Sequence, residues 1–138
     1  MKKVVVDSNV FFSILLGKSQ SLRDILFSDK DIKFYSCRFS IIELFKHKEK
    51  LKKYSLLKEE EILDVFYSIL KKVEFYNEDL ITDRSLHEGF ILCDNIDEKD
   101  VLFVSLTIEL GALLWTGDKK LMEGLKSKGF YNFFTIEG

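Results

Sequence analysis

Proline is absent from the 138-residue chain, which excludes proline-rich linkers and polyproline recognition tails. Only two cysteines occur, Cys37 and Cys93. They are too few for a disulfide framework or a four-thiolate zinc site, and they read as small buried hydrophobes in a reducing compartment. An excess of one charge is lacking too: 21 basic residues face 23 acidic ones, for a net charge of −2. A general cationic sheath around nucleic acid is thereby excluded, so any such contact must be a local patch. No apolar run approaches the roughly 18 residues of a membrane span. At the start, Val4-Val5-Val6 meets Asp7-Ser8-Asn9 at once, too short a stretch for the apolar region of a signal peptide, about 7–15 residues. The expectation is a cytoplasmic protein without membrane contact.

What the chain does have is core material. Hydrophobic residues make up 46%, including 13 Phe, too many for a disordered chain. Boundary signals, repeats and low-complexity tracts are missing, so residues 1–138 are expected to form a single domain. Residues 3–7 hold a β-branched run suited to a strand buried on both faces. Ser8 or Asn9 can cap a helix to about Leu16, and Ser21–Phe27 reads as another. Phe34–Ser36 is a short strand. Ser40, with Glu43 three residues on, fits a capping box opening a helix to about Lys53. Leu57–Leu70 is helical by its apolar spacing, Val73–Tyr76 is a strand, and residues 79–92 are helical. Asp97-Glu98-Lys99-Asp100 opens a helix that Gly111 should stop in the left-handed conformation. Leu113–Thr116 is a buried strand, Lys119–Lys128 a helix, and Phe133–Ile136 an edge strand. Strands alternating with helices predict a parallel α/β sheet covered on both faces.

Several familiar motifs fail. Gly17-Lys18-Ser19 resembles the end of a phosphate-binding loop, but the required earlier glycine is Phe12. No Gly-x-Gly-x-x-Gly follows a strand and no Gly-x-Ser-x-Gly elbow exists. His47 and His87 lie in charged helical surroundings and read as surface residues. What survives is the placement of carboxylates. Asp7 ends the first strand and Asp118 follows the fourth, and ligands of open parallel sheets bind beyond the carboxyl ends of strands. Taken singly, Asp7, Asp100 and Asp118 could merely favour helix N-termini. Asp100 opens the helix feeding the fourth strand, and its antiparallel run is expected to put its start at the opposite rim, away from Asp7.

The segments Val-Val-Val-Asp7-Ser8-Asn9-Val-Phe, Ile42-Glu43-Leu44, Asp97-Glu98-Lys99-Asp100-Val-Leu-Phe-Val-Ser-Leu and Leu114-Trp115-Thr116-Gly117-Asp118-Lys119-Lys120-Leu121 resemble, in order and over essentially the whole chain, the motifs of PIN domains. These are metal-dependent ribonucleases, many of them VapC-like toxins of toxin–antitoxin pairs. The resemblance implies a three-layer α/β/α sandwich with a parallel sheet of four to five strands, order 3-2-1-4-5. It implies that Asp7, Glu43, Asp100 and Asp118 converge in one acidic pocket and are catalytic. Asn9 and Thr116 match polar positions near such pockets, Ser8 less closely, and Asp97 is an additional acid of the outer shell or a helix cap.

Two unit charges 4 Å apart repel by roughly 4 kcal/mol at an effective dielectric of about 20. Four carboxylates together would therefore protonate, move apart or recruit cations. Oxygen-only ligands favour Mg²⁺ or Mn²⁺ over zinc, and one or two such ions can polarise a phosphodiester, acidify water and stabilise a leaving oxygen. On this reading Asp7, Asp100 and Asp118 hold the metal, and Glu43 completes the shell or orients the attacking water as a general base. The resemblance implies products with 5′-phosphate and 3′-hydroxyl ends. RNA contacts are expected at Lys46 and Lys50, with His47 on the flank of Glu43, and at Lys119 beside Asp118. A solvated helix face is the plainer account of those lysines.

The expected function is a toxin-like endoribonuclease that cleaves RNA, with a cognate antitoxin and a homodimer as expected protein partners. The alternatives are a PIN nuclease of RNA processing without an antitoxin, and a non-catalytic PIN scaffold binding RNA or protein, which loss of one acid would have favoured. An aspartyl phosphatase is demoted because Asp7-Ser8-Asn9 lacks a second aspartate two residues on. Phe11, Phe12, Ile25 and Phe27 are candidates for a homodimer face or antitoxin groove, with core packing as the alternative.

Overall fold

Residues 1–135 are described by the computed structural model of the chain. The β-branched opening forms β1 (Lys2–Val6), which lies between β2 (Ile32–Cys37) and β4 (Leu113–Trp115), with β3 (Glu74–Tyr76) beyond β2. All pairings are parallel, in the order β3-β2-β1-β4. Val4, Val5 and Val6 are wholly buried, because β1 is covered on both faces and its side chains alternate between them. Val4 and Val6 enter one apolar core, Val5 the other. The first core joins β1 to α1 (Ser8–Leu15), α2 (Gln20–Ser28), α3 (Phe39–Lys46), α4 (Lys48–Tyr54) and α5 (Glu59–Lys72). The second joins it to α6 (Asp83–Cys93), α7 (Val101–Leu110) and α8 (Lys119–Ser127). The result is the expected three-layer sandwich.

Several expectations need correction. The fifth strand over Phe133–Ile136 reduces to a single parallel bridge between Leu114 and Phe133, flanked by Leu114 N–H on the Asn132 carbonyl and Phe134 N–H on the Leu114 carbonyl, both at 2.8 Å. Ile136 lies outside the described residues. The Ser40–Glu43 capping box does not form: α3 begins at Phe39, its N-cap Arg38 makes no side-chain cap, and Ser40 turns inward. The single helix expected to Lys53 divides at His47 into α3 and α4. Residues 79–92 hold a 3-10 turn (Glu78–Leu80) before α6, whose N-terminus is capped by Thr82. Gly111 closes α7 with φ 61°, as expected.

Asp100 lies at the same rim as Asp7, not at the opposite one as expected. A helix running antiparallel to the strand it feeds begins where that strand ends, so α7 starts at the carboxyl rim and brings Asp100 to the cavity that Asp7 and Asp118 line. Phe11 is fully buried, and Phe12, Ile25 and Phe27 pack against the first core, so that group is core packing. Cys37 and Cys93 are free and buried, and burial pushes both thiols up. Among the described residues, no helix is long and apolar enough to cross a membrane.

Helices α6 and α7 approach closely at Gly89 and Ser105. A Cβ on Gly89 would come 2.0 Å from Ser105 Oγ and 3.1 Å from the Ser105 backbone nitrogen. Rotating the hydroxyl away would not relieve the backbone approach. Gly89→Ala is therefore expected to destabilise the fold by about 1–3 kcal/mol, read as a lower urea midpoint; an unchanged midpoint would mean that the two helices have room to part.

Candidate active site

The carboxyl ends of β1 and β4 are adjacent, and their loops carry an acid each. The Asp7 amide donates to the Trp115 carbonyl at 2.9 Å, extending the β1–β4 ladder to the rim. Asp7 takes the N-cap position of α1, yet its side chain caps nothing. Its Oδ2 instead accepts from Thr116 Oγ1 at 2.8 Å and from Asn9 Nδ2 at 3.2 Å. Thr116 Oγ1 also accepts from Asn9 Nδ2 at 3.2 Å and from the Asp118 amide at 3.1 Å, so its one donor and two acceptor sites are all used. Asn9 Oδ1 accepts the Gly117 amide at 3.0 Å. Asn9 and Thr116 thus fasten the Asp7 loop to the Asp118 loop. Asp118 caps α8 with Oδ1, accepting from the Leu121 amide at 3.0 Å.

Glu43 is held from below by hydroxyls. Ser36 Oγ donates to the Val6 carbonyl at 2.7 Å. Its only proton is then spent, so Ser40 is the donor in the 2.8 Å Ser36–Ser40 contact. Ser8 Oγ lies 3.0 Å from Glu43 Oε1, closer than its 3.3 Å to Ser40 Oγ, and donates to the carboxylate. Ser40 is thus tied to β2 through Ser36, and Ser8, which the sequence offers as a helix cap, instead holds Glu43.

Asp97 caps the 3-10 turn at Glu98–Asp100 through the Lys99 amide at 2.9 Å. The preceding Ile96 packs on α8, where a Cβ on Gly124 would meet Ile96 Cδ1 at 2.8 Å. Lys128 Nζ donates to the carbonyls of Ile91 and Asp94, tying the same segment to α8. These contacts bring Asp97 to Asp100 and Asp118, each offering an oxygen within 4.8 Å of the others.

The sequence candidates Asp7, Asn9, Glu43, Asp97, Asp100 and Asp118 all line one cavity of about 210 Å³, together with Ser8, Phe12, Lys99 and Phe103. Thr116 lies behind it. Lys46 and Lys119 are exposed and do not line the cavity, and Lys50 lines a neighbouring hollow. Lys99 was missed. Its place between Asp97 and Asp100 was the available signal, hidden because a lysine among acids reads as ordinary surface.

Five acids against one lysine leave the cavity strongly anionic. Burial is the main cause that raises Asp100 to about 8, with Asp7, Asp97 and Asp118 adding repulsion. Burial likewise lifts Asp7 to about 6, against the opposing hydrogen bond from Thr116. Carboxylate oxygens gathered within 4.8 Å fit a hard divalent cation, whose ligand oxygens sit roughly 3–4 Å apart at metal–oxygen distances near 2.1 Å.

Both aspartates titrate above the ordinary 3.8, so the folded chain keeps protons that the unfolded chain has lost. Their stabilising contribution is complete below that value and disappears as pH rises through about 6 for Asp7 and about 8 for Asp100. In EDTA, Asp100→Asn is expected to raise the melting temperature by several degrees at about pH 9 and by much less at about pH 5. Equal effects at both pH values would contradict the upward shift of the buried Asp100 carboxyl.

The family model of the PIN domain matches residues 5–133. No curated protein matches the chain by sequence. Among solved structures, the fold is similar to a chain in the crystal structure of VapBC2 from Rickettsia felis bound to a DNA fragment from their promoter, with a TM-score of 0.66, 16% identity and 95% of each chain covered. A family model that runs from the end of β1 past β4, the acid-bearing rim included, leaves one assignment: this chain belongs to the PIN domain family.

Proposed function

We propose that this chain is a Mg²⁺- or Mn²⁺-dependent endoribonuclease of the toxin type, acting in the cytoplasm. The observation that carries the reading is the crowding of Asp97, Asp100 and Asp118 within 4.8 Å, in the cavity that Asp7 and Glu43 also line. Asp7, Asp100 and Asp118 would hold the ion, joined by Asp97. When bound, the ion supplies screening of this charge and Lewis-acid polarisation of the phosphodiester.

The chain's own groups do the rest. Thr116 and Asn9 occupy Asp7 Oδ2 and fix the plane of its carboxylate. Glu43, with Oε1 held by Ser8, keeps Oε2 to orient a water and accept its proton during attack on phosphorus. Lys99, at the cavity wall, neutralises an incoming phosphate. Lys46, Lys50 and Lys119 bind flanking phosphates farther out. The products carry 5′-phosphate and 3′-hydroxyl ends.

Likeness to a VapBC2 chain supports a protein antitoxin as partner. For a homodimer, one exposed apolar surface is a stripe on α5, where Leu63, Tyr67 and Leu70 recur at helical spacing.

Asp7→Asn keeps the shape and most hydrogen-bond partners of the side chain while removing its charge. It should stay folded, bind Mn²⁺ more weakly, cleave RNA at least roughly 100-fold more slowly and abolish growth arrest on expression. Cleavage at the wild-type rate would rule out the assignment, and RNA binding without cleavage by the unmodified chain would favour the scaffold reading.

A further inference from the structure

Next to the carboxylate cavity lies a hollow of about 320 Å³ with the opposite character. Its walls are the rings of Phe12 and Tyr54, its base is aliphatic, and Lys18, His47 and Lys50 surround it. No acidic side chain lines it, although the chain as a whole is net negative. Phe12 lines both spaces, so the two are neighbours that share a wall. The His47 ring meets Phe12 edge-on at 5.7 Å between centroids, which fixes one wall. Tyr54, at the end of α4, is 62% exposed, and Lys53 Nζ lies 5.3 Å from its ring centroid, which adds a further cation beside the ring.

We infer that this hollow is a nucleotide subsite: one unstacked base of single-stranded RNA lies against Phe12 and Tyr54, while Lys18 and Lys50 hold the phosphates on either side of it. The inference rests on the nuclease reading for the identity of the polymer. An anionic catalytic cavity repels RNA until the strand is anchored beside it, and the anchor must be cationic and must leave the scissile phosphate within reach. Aromatic faces bind any base by stacking, and lysines track the backbone. A hollow with aromatic walls, a cationic edge and no carboxylate meets both needs. It sets the strand's position by one nucleotide's grip without reading sequence. An apolar polypeptide segment would use the rings but would gain little from Lys18 and Lys50.

The test is a titration of the full chain, in Ca²⁺ buffer, against a short single-stranded RNA containing one 2-aminopurine, whose emission falls on stacking. Tyr54→Ala should weaken binding about 5- to 150-fold and remove the quench, with the far-ultraviolet circular dichroism unchanged. Combined Lys18→Gln and Lys50→Gln should make the log–log salt slope shallower by about 1.4, near 0.7 for each phosphate contact. Lys30→Gln, an exposed lysine far from the hollow, should change neither. Wild-type RNA affinity and quench in the Tyr54 and lysine variants would overturn the subsite and leave the hollow to an apolar polypeptide. So would an unmodified chain that gives no quench. The two readings separate cleanly. Cleavage lost in Asp7→Asn with binding unchanged in Tyr54→Ala keeps the nuclease and discards the subsite. A Tyr54-dependent quench in a chain that never cleaves RNA does the reverse.

Discussion

Mutual repulsion among buried carboxylates is the constraint around which this structure is organised. Asp7 and Asp100 are both buried, and each costs the fold something in its ionised form. Such an arrangement persists only where surrounding structure over-determines it. Here the sheet does so: β1 and β4 are neighbours in parallel register, so their loops must emerge side by side. Asn9 and Thr116 then lock those loops together with the hydrogen bonds around Asp7 and Asp118. Two apolar cores clamp β1 from both faces, which gives the rim a rigid base from which the acids cannot retreat.

The second support comes from contacts outside the carboxylates themselves. The hydroxyl chain from Ser36 through Ser40 ties α3 to β2, and Ser8 reaches Glu43 from α1. The close approach of Ile96 to Gly124 and the Lys128 contacts pin the Asp97 segment onto α8. Binding of an anionic polymer at such a rim needs cations placed beside the acids rather than among them. Lys99 at the cavity wall and the Lys18–Lys50 edge of the neighbouring hollow have that placement, which a net charge of −2 conceals.

Much of this was legible in the residues. The run Val4-Val5-Val6 and the segment Leu113–Trp115 announce strands buried on both faces, and from those alone Asp7 and Asp118 fall at one rim. Asp100 is not legible that way, because a residue that opens a helix is placed only by the direction in which that helix packs on the sheet, not by the apolar run of a strand. Glu43 and Ser40 have the spacing of a capping box, a local pattern that lost to a tertiary one once Ser40 found buried partners on β2 and α1. The tail at Phe133 has the composition of a strand, but it bridges only Leu114. Lysine positions on helices carry almost no signal about which cavity they border, so the sequence alone does not distinguish Lys99, which lines the acidic cavity, from Lys46 and Lys119, which do not. Sequence pattern reports what each element buries; it does not report which side chains meet across elements.

The central claim is that these acids are neighbours because a divalent ion screens them. It is tested most directly by the anomalous difference density of a crystal soaked in Mn²⁺. The account predicts one or two peaks ligated by oxygens of Asp7, Asp100 and Asp118, with Asp97 beside them. A well-ordered cavity with all five carboxylates in place and no manganese among them would contradict it.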